Sequence, residues 1–339
     1  MSSLNAWFNS DPTPEYMPGQ NMTCVITAAE PGGYAVSVKG ESIPGFVPTE
    51  VKIGLGQEII AQFVCIVQGR MLLTALTHGS PAPAQQMQGG NGGQRADLAF
   101  QVWAQDRPMA FRAKRAIDLI PEALPGTPVQ RLMVQEHDLE GLIFQLESSK
   151  ITGALKAFSA TGQSRSAVLL YQGRVVGAVY GNANMTELQP MDAAIQLMIA
   201  DWAWPDTEAL LYELDEGAVL SLSALFLGYP VARSDKRDAR EYMDYIAEWI
   251  REKKQTACLA FTLPKSKTNC LAMYHRGRFV GCYHAEELNY SQDINLIRNL
   301  LAGEPKAKVH ASLLPAEMFS TAINFGYTLS MALSVPPVV

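Results

Sequence analysis

Three thiols and two imidazoles gather in one stretch of this chain: Cys258, Cys270 and Cys282 are spaced by twelve, with His275 and His284 close by. Thiolate and neutral imidazole are the ligands from which structural zinc sites are built. The spacing matches no usual ligand pattern. The residues 104 positions earlier are Ala154, Ser166 and Ala178, all small, so the three cysteines are expected to fill positions that want a small side chain in a sheet. A two-residue turn at Arg276 and Gly277 pairs Leu271 with Cys282 and sets Cys270 and Cys282 on opposite faces. No metal site is expected.

Other candidates for chemistry fare no better. His137-Asp138 beside Glu136 and Glu140 suggests acid–base work, but it falls at a helix start, where acidic residues favour the dipole. The run Gly89-Gly90-Asn91-Gly92-Gly93 resembles a phosphate loop, yet no strand precedes it and no Lys-Ser/Thr follows. There is no Gly-x-Ser-x-Gly elbow and no His-Glu-x-x-His. Trp202 and Trp204 read as helix-end core. The expectation is a protein that is not an enzyme, with no catalytic residue, no cofactor and no evident small-molecule substrate.

Length and composition bound the elements that position these residues. At 339 residues the chain has room for two or three domains with cores of their own. Met1 to Gln20 is polar and Pro-rich, unlike a secretory signal. The longest apolar stretch, 218–232, is interrupted by serines and falls short of the ~20 residues that span a bilayer. Five cysteines without framework spacing argue for reduced thiols. A soluble, cytoplasmic protein with no membrane partner is expected.

The N-terminal segment carries a pattern with a functional meaning. Gly32-Gly33-Tyr34-Ala35-Val36-Ser37-Val38 is followed, after Gly40, by Pro44-Gly45-Phe46-Val47-Pro48. β-rich runs at 21–30 and 57–77, the second divided by a Gln68-Gly69 turn, complete five short strands. This pattern resembles the S1 domain, an RNA-binding OB-fold, over residues 16 to 78. The resemblance implies an all-β barrel, with single-stranded RNA or a ribonucleoprotein as partner and Tyr34, Lys39, Phe46 and Arg70 as the nucleic-acid-binding residues.

Two positions depart from that family: Pro48 stands where many members carry His, and Leu72 where binding members carry a basic residue. Alternation also sets Tyr34 on one face with Val36 and Val38, which reads equally as core. Residues 1–94 hold three Lys and Arg against six Asp and Glu, whereas an RNA-binding barrel is expected to be basic.

Residues 79–94, rich in Pro, Gly and Gln, read as a linker, so the barrel is expected to be tethered and not packed. Beyond the linker an internal repeat emerges. At a constant offset of 104, Gly173-Arg174-Val175-Val176-Gly177 matches Gly277-Arg278-Phe279-Val280-Gly281. Each copy reads as helix, short strand, β-hairpin and helix. The copies close on Ser223 to Tyr229 and on Thr321 to Tyr327. Ser291 is expected as N-cap and Gly303 as C-cap of the last helix. Leu98, Phe100 and Val102 alternate like a strand, in an extension that caps the first copy or binds a partner.

This unit resembles the PATAN-type domains of bacterial signalling and motility proteins, which implies protein interaction without catalysis. The expected fold class is an all-β OB-fold barrel followed by α+β, with two pseudo-repeated β-hairpin and helix modules. The domains are 1–78 (S1-like), 79–94 (linker), 95–230 (first module with its extension) and 231–339 (second module). The first copy is acidic, with four Lys and Arg against nine Asp and Glu over 142–230, and the second basic, with fourteen against eleven over 231–339. The expected function is a cytoplasmic adaptor or regulator that binds RNA or an RNA-associated machine through the barrel and protein partners through residues 95–339. The alternative is a protein-only scaffold in bacterial signalling or motility.

Overall fold

A computed structural model describes residues 16–75, 92–105, 116–121, 129–132, 134, 138–185, 189–231 and 237–334. The first five strands are β1 (Asn21–Glu30), β2 (Gly33–Val38), β3 (Pro44–Pro48), β4 (Glu58–Val67) and β5 (Arg70–Ala75). They close into a barrel of order β1-β2-β3-β5-β4, antiparallel throughout except where β3 runs parallel to β5, an architecture compatible with an OB-fold. Closure leaves no edge strand, and alternate residues Cys24 and Ile26, Val36 and Val38, and Met71 and Leu73 fill the interior.

Two α+β layers follow. The first consists of helix α1 (Gly92–Ala104), strand β6 (Val129–Leu132), helix α2 (Leu139–Ser148), strands β7 (Gly153–Ser159), β8 (Ser164–Tyr171) and β9 (Arg174–Asn182), helix α3 (Met191–Asp201), strand β10 (Thr207–Glu213) and helix α4 (Glu216–Leu227). The second consists of strand β11 (Tyr229–Val231), helix α5 (Ala239–Glu252), strands β12 (Thr256–Leu263), β13 (Thr268–His275), β14 (Arg278–His284) and β15 (Asn289–Ser291), helix α6 (Asn295–Ala302) and strand β16 (Lys308–Leu314). The sheets are ordered β6-β10-β7-β8-β9 and β11-β16-β12-β13-β14-β15.

The two sheets share fine detail. Each inner hairpin carries a bulge, with Val176 of β9 the extra residue opposite Leu169 and Leu170, and Val280 of β14 the extra residue opposite Met273 and Tyr274. Each closes through a left-handed pair, Gln172-Gly173 and Arg276-Gly277, as a two-residue hairpin turn requires. Gly173 N donates to Ile151 O and Gly277 N to Gln255 O, both at 2.8 Å. A side chain on either glycine would strike the last turn of the preceding helix, at Glu147 O or Arg251 O.

Helix α4 explains why the layers do not separate. Its residues from Gly217 to Leu227 are all buried, because it lies between the inner faces of both sheets. Ser221 Oγ is 2.6 Å from Gly217 O in its own helix and 2.8 Å from Tyr274 O in β13, so even its polar group is satisfied. Gly177 makes room for Phe226, whose ring would lie 2.6 Å from a Cβ there. The chain then exchanges segments between layers. β11 leaves α4 to pair with β16. After β16, the chain returns to the first sheet, where Tyr327 and Val175 exchange two backbone hydrogen bonds of 2.8 Å.

Three expectations are corrected. Residues 92–104 form a helix and not a strand, with Ala99, Phe100 and Trp103 buried at helical spacing, Trp103 against the end of α4 and Phe100 against Phe325 and Tyr327. Leu98, Phe100 and Val102 alternate as in a strand, but the buried set Ala96, Ala99, Phe100 and Trp103 follows the helical period. The N-cap of α6 is Ile294, while Ser291 Oγ accepts from Asp293 N in the preceding turn; Gly303 does occupy the C-cap. The barrel is packed against the body, since Phe46, Val64, Cys65 and Leu72 point outward into one core with Phe100, Trp103 and Tyr229. The linker reading falls largely on 76–91, outside the described residues. So do the pair Glu136-His137 and residues 111–115 of the extension.

Candidate nucleic-acid interface

The four barrel residues separate into two environments. Phe46, in β3, is 6% exposed, with Arg70 stacked 4.7 Å from its ring centroid and Tyr229 of β11 meeting it edge-on at 5.8 Å. Arg70 also pairs with Glu30 at 2.8 Å. Gly32, at φ +82°, has no side chain where the Tyr229 ring lies. Tyr229 is held in turn by its place in β11, and the Trp103 indole fixes the end of α4 by donating to Leu227 O at 2.8 Å. Phe46 and Arg70, two of the residues that the S1 resemblance marks for nucleic acid, are thus engaged inside the chain.

Tyr34 and Lys39 lie elsewhere on the barrel. The Tyr34 ring is half-buried against the barrel core, and its hydroxyl accepts from Ile53 N at 3.0 Å, which anchors the loop before β4. Lys39 is exposed and pairs with Glu58 at 2.6 Å. Val51, Leu55 and Ile60 are exposed apolar residues on this part of the barrel surface. The structure does not bring the four residues into one patch.

The thiol and imidazole residues occupy the second sheet. Cys270 pairs with His284 and Ala272 with Cys282, so Cys270, Cys282 and His284 share one face and Cys258 takes the other. This corrects the expected opposite placement of Cys270 and Cys282. The bulge at Met273/Tyr274 shifts the register by one residue, and a one-residue shift reverses the face. Burial pushes the thiols up, to about 11 for Cys282 and about 12 for Cys270, and Cys258 higher still. Among the described residues no group of His, Cys, Asp and Glu is arranged to hold a metal ion.

His284 has the partners of a proton relay, but they run in one direction. Glu287 N donates to His284 Nδ1 at 3.2 Å, which leaves the proton on Nε2, 3.2 Å from Thr268 Oγ1. Thr268 in turn donates to the Glu286 carboxylate. The hydroxyl proton is committed to a carboxylate and not offered to the imidazole, so the set cross-links the strand ends. His275 lies at the other end of β13, its pKa lowered by burial and by the neighbouring Arg276.

Sequence reasoning missed Tyr229 and Gly32 as the barrel's internal contact. The only available signal was that Tyr229 and Tyr327 each follow a glycine at the end of a copy, and both turn out to sit where the chain passes from one layer to the other. No helix among the described residues is long and apolar enough to cross a membrane. Comparison with protein-family models and with curated protein sequences gave no match.

Proposed function

We propose that this chain is a non-catalytic adaptor that engages RNA or an RNA-bound machine and holds protein partners on two repeated α+β units. The barrel carries the RNA half of this reading: its strand order and Gly-Gly-Tyr and Pro-Gly-Phe segments fit an S1-type domain. Features independent of residue identity support the repeat. The bulges, the hairpin turns, and the left-handed residues Lys150 and Lys254, and Gln163 and Lys267, all recur at the same offset of 104. We read the units as diverged copies of one interaction module of the PATAN-like kind, joined through α4 into one body.

A second reading, the protein-only scaffold, is favoured by the burial of Phe46 and the engagement of Arg70 within the chain. Affinity capture of the intact protein from a lysate, with and without nuclease, separates the two. The adaptor reading expects partners to be lost on nuclease treatment and the intact chain to bind single-stranded RNA directly. Partners retained after nuclease, with no RNA binding at low salt, favour the scaffold.

A further inference from the structure

Four lysines without an ion pair among the described residues lie at one end of the second sheet, away from the barrel residues discussed above. Lys265 and Lys267 stand in the turn after β12, Lys306 in the loop before β16, and Lys308 at the first position of β16; all four are exposed. The fold brings them together. Lys308 pairs across the sheet with Thr262. Glu304, in the loop before β16, accepts from Lys265 N at 3.0 Å and from Ser266 N at 2.7 Å, which binds that loop to the turn.

Two of the acidic groups nearby, Glu304 and Glu286, are already engaged. Glu304 is itself buried and spends its carboxylate on the two backbone amides. Burial opposes its ionisation, and the hydrogen bonds from Ser266 and Lys265 outweigh that, so its pKa lies below the ordinary carboxylate value. Glu286 accepts from Thr268 Oγ1 and Asn269 N, whereas Glu287 is exposed beside His284 and the charge of Glu50 in the barrel acts on His310 together with Lys308. Among the described residues none of the four ammonium groups forms an ion pair.

The first sheet shows that the architecture does not demand this charge. By strand register Lys308 corresponds to Glu208, since Phe158 pairs with Glu208 as Thr262 pairs with Lys308. Thr161 and Gln163 stand in its turn, and Asp206 takes the capping role of Glu304 by accepting from Thr161 N. One corner is acidic and neutral, the other has four lysines on the same scaffold.

We infer that the turn after β12 and the start of β16 form a phosphate-binding surface for the backbone of single-stranded RNA. The inference rests on the adaptor reading and relocates its electrostatic contact from the acidic barrel to the second sheet. Lysines on flexible stems are point charges suited to phosphates without sequence choice. The exposed residues between them, Pro264, Ser266, Gly303 and Pro305, are small and offer no aromatic or large apolar anchor of the kind that carries protein interfaces.

The test uses the intact chain and a Lys265→Gln, Lys267→Gln, Lys306→Gln, Lys308→Gln variant, titrated into a fluorescent oligouridylate of ~20 nucleotides at about 50 to 200 mM salt. Single-strand contacts contribute a log–log salt slope of roughly −0.7 per phosphate, so the variant is expected to lose about 2 to 3 of that slope and at least tenfold in affinity at the lower salt. Unchanged thermal unfolding of the variant assigns the loss to the surface. Wild-type binding that the variant retains in full overturns this surface and leaves the adaptor reading standing. No RNA binding by either protein overturns both. Binding of a polyglutamate peptide in place of RNA, abolished in the variant, assigns the lysines to an acidic protein partner and overturns the RNA inference.

Discussion

The ring of Tyr229 fills the space that Gly32 leaves by having no side chain: a Cβ on Gly32 would lie 2.1 Å from the Tyr229 Cε2 atom, and Phe46 meets the same ring edge-on. This contact joins the barrel to the α+β body. It also makes a small residue before β2 a requirement of tertiary packing and not only of the turn.

Gly32→Ala should therefore cost about 2 to 4 kcal/mol, the left-handed backbone penalty adding to overpacking. In a Tyr229→Ala background the same change should cost only the backbone part, about 1 to 2 kcal/mol. Urea unfolding of the four proteins measures the coupling. An equal cost in both backgrounds contradicts the packing.

The repeated Gly-Arg-x-Val-Gly segments put their arginines to different uses. Arg174 donates to Gly326 O at 3.0 Å and pairs with Asp97 at 2.7 Å, tying the returning C-terminal segment and α1 to β9. Arg278, at the matching position, is exposed. Arg174→Ala is expected to destabilise by about 1 to 3 kcal/mol and Arg278→Ala by no more than about 0.5 kcal/mol. Similar losses at both sites, read from thermal unfolding, would count against the asymmetry.

Tyr34 has separable parts. Tyr34→Phe keeps the ring but removes the acceptor of Ile53 N, so stability should fall by about 0.5 to 1.5 kcal/mol while RNA affinity stays unchanged. Tyr34→Ala should weaken single-strand binding by roughly 1 to 3 kcal/mol if the ring stacks on a base. Anisotropy titration beside a denaturation curve checks both; a Tyr34→Ala protein that loses stability and no affinity assigns the ring to the core.

All five cysteines are free and buried. Burial pushes Cys24 and Cys282 to about 11 and Cys65 and Cys270 to about 12, against an ordinary thiol value of 9.0. The folded state thus holds these protons when the unfolded chain releases them, and their contribution is fully present below pH 9.0 and is lost as pH rises towards 11 and 12. Unfolding midpoints should decline between about pH 9 and 11, and less in a Cys→Ala/Ser variant. The thiols should resist alkylation at neutral pH until denaturant is added; prompt labelling of the native protein would contradict their burial.

Much of this architecture was legible in local pattern. The barrel strands at 21–30 and 70–75, the Gln68-Gly69 turn, and both inner hairpins with their two-residue turns lie where alternation and turn residues placed them. Strand periodicity and left-handed glycines act over a few residues, so the chain states them without its fold. The faces of Cys270 and Cys282 were not legible, because the bulge that reverses them arises from pairing between strands. The helix at 92–104 was hidden because positions 98, 100 and 102 alternate as in a strand, while its buried face is set by tertiary contact, with Trp103 bonded to Leu227 O.

Sequence by itself determined composition and local pattern: an acidic N-terminal segment in which Tyr34, Lys39, Phe46 and Arg70 were the candidates, and a C-terminal part richer in lysine than the part before it. Only the tertiary structure decided which of them face outward. Phe46 and Arg70 are exposed positions of an isolated barrel, but 183 residues separate Phe46 from Tyr229, and no local rule foretells that these two rings meet. Lys265 and Lys308 are likewise distant in the chain and brought to the same end of the sheet. Contacts of that separation depend on how layers close around α4, a sum of many weak packing terms that no short segment encodes.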